Sequence, residues 1–394
     1  MQNAQQNEIP LSVPNLHMSI LEKIEETIES GWVSTGGRFI AEFEHRIEAY
    51  TGAGGARAVQ SGTAGLHLAL LALGLLPEEE VLVPTLTFIA AVNPVRYIGA
   101  HPVFMDCDAS LNMDPEKVKA FLEDECVRRD GGVYNRRTGR RVRGMVVVHV
   151  FGNPADMEAL TELAESYGLF VLEDASEALG SWIASGRFDG RHCGTMGDMG
   201  VFSFNANKII TSGGGGMVVA SDPALLERVA YLGVQAKTDG LRYVHNDIGY
   251  NYRMTNIAAA YGVDQMDHLE AFLEAKARNY RAYREALDTI DGVYLYPFSE
   301  GTRPNYWFYS LFIEEAFGMS LEATMQALMA RKIHTRPVWK LNHTQRPYLD
   351  CQAYRIERAP ELVRHILNIP CSTGLTEEER QRVVEAIREL SVSP

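Results

Sequence analysis

Two short stretches of the sequence place polar groups where a phosphorylated ligand could bind. Ser61-Gly62-Thr63 opens the apolar helical stretch 64–73, and a helix N-terminus offers backbone N–H groups and a favourable dipole to a phosphate. An ordinary Ser/Thr helix cap explains these residues at least as well. Glu173 and Asp174 follow the apolar run 169–172, at the strand end where open α/β sheets bind ligands. A solvated loop carboxylate is an equally good interpretation of this pair.

A lysine and an aromatic residue extend this set. Lys208 lies just beyond the apolar run 201–204, and a lysine sheltered there can become a nucleophile that forms a Schiff base. Phe88 could cover a flat ring. Taken singly, a surface lysine and a core phenylalanine are the commoner explanations. Together, a phosphate cradle, an aromatic plate, a carboxylate for a ring nitrogen and a lysine for an aldehyde are what pyridoxal phosphate requires.

The sequence lacks the motifs of several other kinds of active site. The sequence has no His-x-x-x-His or Cys-x-x-Cys pair, no Gly-x-Ser-x-Gly elbow and no Walker phosphate loop, so we expect neither a metal site nor a serine hydrolase. The glycine run 213–216 is followed by a predicted strand rather than a helix. This order argues against a dinucleotide-binding fingerprint.

The elements that must position these residues alternate after residue 60. Short apolar, β-branched runs are separated by amphipathic stretches of helical length. This alternation predicts an α/β fold with a mostly parallel sheet covered by helices on both faces. The predicted strands are 80–83, 102–105, 145–150, 169–172, 201–204 and 217–220, and the predicted helices between them are 64–73, 114–125, 156–167 and 223–232.

The pattern changes at Met266, where a long amphipathic helix begins. A predicted strand at 307–313 and helices at 321–331 and 377–390 follow it. We therefore predict a large domain over residues 1–265, including an N-terminal segment 1–30, and a small C-terminal α+β domain over residues 266–394.

Composition and net charge limit the classes of partner that the protein could bind. The chain has 394 residues, 46% of them hydrophobic, and a net charge of −14, which disfavours binding to nucleic acid or to an anionic membrane. Its longest apolar stretch, 66–76, is too short to span a bilayer. The five cysteines are dispersed and the N-terminus resembles no export signal. We expect a cytoplasmic protein.

The stretch 127–143 carries seven arginines. It could dock an acidic ligand or partner. Turn-forming residues (DGG and NRRTG) favour instead a solvent-exposed hairpin whose arginines face water.

The combination of motifs resembles the DegT/StrS family of sugar aminotransferases, which use pyridoxal phosphate on the type I fold. The resemblance runs from Ile9 almost to the C-terminus. It implies a large domain with a seven-stranded, mostly parallel sheet between helices, and a small α+β domain. The motifs are 31–36 with Phe43-Glu44, 61–63, 173–175, 202–204 with Lys208, 215–217 and 249–254.

The same resemblance implies a role for each residue that would face the cofactor ring. Lys208 would bind pyridoxal phosphate covalently and later carry the proton. Asp174 would pair with the pyridine nitrogen, and Phe88 would lie against the ring. Glu177 would lie near the ring hydroxyl at a position where many relatives have Gln, so a carboxylate there must be protonated or otherwise compensated.

The phosphate would be bound by Gly62, Thr63 and Ser203. Asn251 would reach it from the neighbouring subunit, which implies at least a homodimer. His334, Arg336 and Trp339 are candidate substrate-binding residues; a strand that packs the two domains together explains their segment equally well.

The stretch 173–180 looks like the branch that aminates carbon 4 of nucleotide-linked 4-keto-6-deoxy sugars. Segments 33–39, 148–154 and 335–339 and the arginine-rich insert look most like the LegC-type branch. That branch implies glutamate as donor and a UDP-linked, N-acetylated sugar, for legionaminic-type nonulosonate or another surface glycan.

Three alternatives remain beside this reading. Amination of a GDP-linked sugar, as in perosamine formation, or of another carbon is the first. A sugar dehydratase of the same family would have histidine in place of Lys208. A non-catalytic regulatory protein would be expected to have lost Lys208 or Asp174, and neither is lost.

Overall fold

The computed structural model describes residues 8–391. The first seven residues of the predicted N-terminal segment and the last three of the predicted C-terminal domain lie outside it. Twelve α-helices lie in the described part. They are α1 Ile20–Glu29, α2 Arg38–Thr51, α3 Gly62–Ala72, α4 Asn93–Tyr97, α5 Pro115–Asp124, α6 Met157–Tyr167, α7 Pro223–Gly233, α8 Asn256–Met266, α9 Leu269–Leu287, α10 Leu321–Ala330, α11 Arg358–Leu362 and α12 Glu377–Ser391.

Eighteen strands lie in the same described residues. They are β1 Ala56–Val59, β2 Glu80–Pro84, β3 His101–Met105, β4 Cys126–Arg129, β5 Gly132–Asn135, β6 Arg141–Val148, β7 Phe170–Asp174, β8 Trp182–Ile183, β9 Met199–Ser203, β10 Gly216–Ala220, β11 Lys237–Asp239, β12 Val244–His245, β13 Val293–Leu295, β14 Thr302–Arg303, β15 Tyr309–Ile313, β16 Arg336–Pro337, β17 Ala353–Tyr354 and β18 Ile366–Ile369.

The main sheet is built around seven strands in the order β1-β10-β9-β7-β6-β2-β3. All neighbours along β9-β7-β6-β2-β3 are parallel, and β10 is antiparallel to both β9 and β1. The predicted α/β class and mostly parallel sheet are confirmed. Since parallel strands end at the same edge of a sheet, the residues that follow β7 and β9 lie close together at that edge.

Helix α3 packs closely against this sheet because Gly65 lies at the contact. A Cβ atom at this position would meet Val201 Cγ1 at 2.8 Å and Val218 Cγ2 at 3.2 Å. The absence of a side chain therefore lets the helix lie against β9 and β10. Its N-terminus lies next to the start of β10, where Ser61 forms a bridge with Gly215.

A second, antiparallel sheet forms from the C-terminal part, in the order β13-β15-β18-β16. The predicted strand 307–313 begins only at Tyr309. Asn305 explains the difference: its Oδ1 accepts the Trp307 N–H at 3.0 Å, and Tyr306 adopts a φ of +54°. This turn directs Trp307 away from the ladder. The boundary at 265/266 stays a prediction.

The arginine-rich stretch forms a hairpin, β4 with β5, that continues into β6. Its base is held by Glu80, which is only 1% exposed. Glu80 accepts hydrogen bonds from Asn135 Nδ2 at 2.8 Å and Thr138 Oγ1 at 2.7 Å. The hairpin precedes β6, so it lies at the end of the sheet opposite to the ends of β7 and β9.

None of the helices between residues 8 and 391 combines the length and apolar character of a membrane span.

We predict that the Glu80 contacts contribute to folding stability. Glu80→Ala leaves Asn135 and Thr138 without their buried acceptor, so the free energy of unfolding should fall by about 1–3 kcal/mol. The control is Glu78→Ala, because Glu78 contacts Arg140 of the same hairpin but its side chain is 72% exposed. That variant should lose less than about 1 kcal/mol. Urea unfolding measures both, and equal losses would contradict the assignment.

Candidate active site

A cleft of about 360 Å³ opens where β7 and β9 end and α3 begins. Most of the residues that the sequence assigned to a cofactor site line it. They are Gly62, Thr63, Phe88, Asp174, Glu177, Ser203 and Lys208, together with the predicted substrate residue Trp339.

The N-terminus of α3 forms one wall of the cleft. Ser61 caps the helix, its Oγ accepting the Ala64 N–H at 3.1 Å. A side chain at position 62 would meet Ser203 Cβ at 2.9 Å and Ser176 Oγ at 3.1 Å. Glycine therefore keeps open a small space bordered by two hydroxyls and by the helix N-terminus. These donors fit a phosphate.

Asp174 is the last residue of β7 and is only 5% exposed. Its Oδ1 accepts the Ser176 N–H at 3.0 Å. Burial raises the pKa of this carboxyl group, and the hydrogen bond from Ser176 and the charge of Lys208 oppose that rise. A buried carboxylate beside an open cleft suits a protonated ring nitrogen.

Lys208 lies in the loop after β9, with its backbone N–H bonded to the Asn205 carbonyl at 2.9 Å. Its Nζ lies 3.7 Å from Glu177 Oε1 and 4.0 Å from the centre of the Trp307 ring. Burial lowers the pKa of Lys208, while Glu177 and Asp174 act to raise it. A lowered pKa makes the neutral, nucleophilic amine easier to form.

Glu177 follows β7 by three residues and is 5% exposed. Its Oε2 accepts the Phe151 N–H at 2.8 Å, and Asn305 Nδ2 donates to its main-chain carbonyl at 2.7 Å. Burial raises the pKa of Glu177 to about 7, against the opposing effect of Lys208. The Lys208 amino group, 3.7 Å away, can therefore compensate a negative charge on Glu177. A carboxylate at this position requires such compensation.

Aromatic side chains form the opposite wall. Phe88 is 53% exposed, so it is not a core residue, and its ring centre lies 6.4 Å from that of Trp339. Trp307 and Phe308 stack at 4.1 Å and also line the cleft. A flat ring or the apolar face of a sugar can lie against such a surface.

Three predicted site residues do not line the cleft. Asn251 is exposed, in the loop between α7 and α8. His334 Nε2 lies 3.8 Å from Glu8 Oε2, and Arg336 is exposed on β16, with Nη1 donating to the Thr335 carbonyl at 2.9 Å. Of the three substrate candidates, only Trp339 reaches the cleft.

The sequence reasoning missed Ser176, Trp307 and Phe308 as lining residues. Ser176 belongs to a quoted motif, so its hydroxyl could have been noticed. Trp307 lies about a hundred residues beyond Lys208, and no local signal joins the two. Among residues 8–391 there is no group of three or more His, Cys, Asp or Glu side chains placed to hold a metal ion.

The chain is similar to known aminotransferases over almost its whole length. A model of the DegT/DnrJ/EryC1/StrS aminotransferase family matches residues 14–388. A GDP-perosamine synthase of Escherichia coli O157:H7 is 35% identical over 97% of this chain and 98% of its own length. The aminotransferase TlmJ from Streptoalloteichus hindustanus superposes with a TM-score of 0.86 at 28% identity, over 97% of this chain and 98% of TlmJ. DesI, solved in the presence of its TDP-sugar product, gives a TM-score of 0.86 at 29% identity, over 98% of this chain and 93% of DesI.

We predict that Gly62→Ala weakens cofactor binding. The added methyl group enters the space beside Ser203 and Ser176, so the dissociation constant of pyridoxal phosphate should rise at least about tenfold, which corresponds to about 1.4 kcal/mol. Fluorescence titration of cofactor-free protein measures it. Gly233→Ala is the control, because its Cβ meets only Leu68 Cδ1, at 3.5 Å. Equal affinities for both variants would contradict a phosphate site here.

Proposed function

Because the chain belongs to the DegT/DnrJ/EryC1/StrS aminotransferase family, we propose that it transfers the amino group of glutamate to carbon 4 of a nucleotide-linked 4-keto-6-deoxy hexose. The protein is a pyridoxal phosphate-dependent sugar aminotransferase. The donor, the sugar and the carbon are the proposal. The observation that carries it is the presence of Lys208, Asp174 and Glu177 in one buried cleft beside an aromatic wall.

Pyridoxal phosphate, when bound, supplies an aldehyde for amines and a ring that stabilises negative charge on the neighbouring carbon. The chain's residues do the rest. Asp174 would pair with the ring nitrogen, and the N-terminus of α3 with Ser203 would hold the phosphate. Lys208 Nζ would hold the cofactor covalently and would then move a proton on one face, so that a single epimer of the amino sugar forms.

The aromatic wall suits the sugar. Trp307, Phe308 and Trp339 present apolar surface to the cleft, where they can stack against the pyranose ring and exclude water. Exclusion of water favours amino transfer over hydrolysis of the covalent link. The presence of Lys208 favours transfer over the dehydratase reaction, and the intact site favours an enzyme over a regulatory protein.

For the nucleotide we propose UDP, on a sugar with an N-acetyl group, because segments 33–39, 148–154 and 335–339 look like the LegC-type branch. The pathway would be that of a nonulosonate or another surface glycan. GDP is the second candidate, and the 35% identity to a GDP-perosamine synthase supports it.

A homodimer would complete the site. Lys208 is the only cationic side chain among the cleft-lining residues, and a nucleotide diphosphate needs more positive charge than one lysine provides. Asn251 lies on the same loop as Arg253, and both are exposed. Leu241 and Ile248 in the preceding hairpin region are each 84% exposed. We propose that this loop enters the cleft of a second copy.

Visible absorbance tests the reaction. Wild-type protein with bound cofactor should lose its long-wavelength band when glutamate is added, and Lys208→Ala should not respond, because it has no lysine to be displaced. UDP- and GDP-linked 4-keto-6-deoxy sugars, added separately, should then differ in how fast they restore the band. Faster recovery with the GDP sugar would replace our assignment of UDP. A protein that takes up no pyridoxal phosphate would refute the proposal.

Complementation tests the dimer. Lys208→Ala and Asn251→Ala should each be inactive, since each lacks one part of every site. When the two variants are refolded together in equal amounts, half of the dimers contain one subunit of each. Each mixed dimer has one intact site out of two, so about one quarter of wild-type activity should return. Recovery is not expected when either variant is refolded alone. A mixture that stays inactive, although both variants fold, would mean that Asn251 acts within its own chain. Activity of Asn251→Ala refolded alone would mean that Asn251 has no part in the site.

A further inference from the structure

Glu177 is the carboxylate closest to the reactive lysine. Among residues 8–391, it is the only acidic side chain with an oxygen within 4.0 Å of Lys208 Nζ, its Oε1 lying at 3.7 Å. The Glu177 side chain is 5% exposed and the Lys208 side chain is 14% exposed. Asp174 is the other acid of the cleft, and its Oδ1 is already engaged by the Ser176 N–H at 3.0 Å.

The surrounding backbone is arranged to hold Glu177 in this position. The Phe151 N–H donates to Oε2 at 2.8 Å, and Phe151 itself has φ +57° and ψ 20°. A bulky residue adopts this left-handed conformation only at a cost in free energy. Asn305 fixes the Glu177 carbonyl from the C-terminal part of the chain. The carboxylate therefore cannot turn away from Lys208 without breaking its hydrogen bond from the Phe151 N–H.

We propose that Glu177 stabilises the ammonium form of Lys208 and so makes the lysine a stronger base inside the cleft. This inference rests on the proposed function, in which Lys208 carries the proton. When Lys208 accepts a proton from the C–H bond of the bound donor, the electron pair stays on that carbon and an N–H bond forms at Nζ. The new positive charge then faces Glu177. When Lys208 releases the proton, both the N–H bond and the charge are lost.

Neighbouring groups also affect the charges of Lys208 and Glu177. Asp174 acts on both Lys208 and Glu177, and the Trp307 ring at 4.0 Å adds a cation–π contact to the lysine. Burial opposes the ammonium form, so the carboxylate compensates for lost hydration. Glutamine at position 177 would still accept the Phe151 N–H, but it would not compensate the charge.

The test compares wild type with Glu177→Gln as full-length, cofactor-free proteins. A short pulse of acetic anhydride at a series of pH values labels neutral lysine, and mass spectrometry follows the Lys208 peptide. The labelling midpoint should fall by about one pH unit or more in Glu177→Gln, because an opposite charge at this distance moves a pKa by about 1–3 units. The control Glu80→Gln removes another buried carboxylate at the far end of the sheet and should leave the midpoint unchanged.

A second readout uses the holoenzyme. Incorporation of solvent deuterium at the α-carbon of glutamate reports proton transfer by Lys208, and it should slow about three- to tenfold in Glu177→Gln, while the affinity for glutamate stays near that of wild type. If Glu177→Gln does not fold, Glu177→Asp, which withdraws the carboxylate by one methylene, should lower the labelling midpoint by a smaller amount. A midpoint equal to that of wild type in the variant that folds would overturn the proposal.

Failure of the proposed function would look different. If wild-type protein aminated no sugar nucleotide, the labelling midpoint would still report whether Glu177 acts on Lys208. If the midpoint fell in Glu177→Gln but deuterium incorporation did not change, the charge pair would exist without a part in proton transfer, and the proposal would be wrong.

Discussion

Asp174 and Glu177 are buried in one cleft beside Lys208, whose side chain is 14% exposed, and the cost of withdrawing these three ionisable groups from water dictates much of the local structure. An unpaired charge in such a place would be strongly destabilising. Each group therefore has a fixed counterpart: a backbone N–H for Asp174, the Phe151 N–H for Glu177, and an acid and an indole ring for Lys208. The loops that follow β6, β7 and β9 are shaped by these contacts.

The C-terminal part of the chain supplies one side of this arrangement. Lys276 on α9 is buried, and its Nζ donates to the Trp307 carbonyl at 2.8 Å. The Trp307 Nε1 in turn donates to the Asn207 carbonyl at 2.6 Å, next to Lys208. The cleft is thus assembled from both predicted domains. A substitution in α9 can therefore alter the surroundings of the reactive lysine without contacting it.

The sequence predicted the sheet and the two central site residues for a common reason. Buried parallel strands are continuous apolar runs, and Asp174 and Lys208 lie at or just beyond the ends of such runs, β7 and β9. Local pattern says nothing, however, about contacts between distant segments. The approach of Trp307 to Lys208 and the left-handed conformation of Phe151 arise only when the second sheet packs on the first.

The direction of β10 also bears on the site. Parallel neighbours require a crossover connection, usually with a helix, but residues 204–215 between β9 and β10 form an irregular loop, so β10 returns antiparallel. Without that helix, the loop is free to cross the ends of β7 and β9 and to direct Lys208 toward Asp174 and Glu177. Because the same loop ends at Gly215, which bridges to Ser61, it also fixes the N-terminus of α3 relative to Lys208. One connection thereby sets the distance between the lysine and the helix N-terminus at the two ends of the cleft.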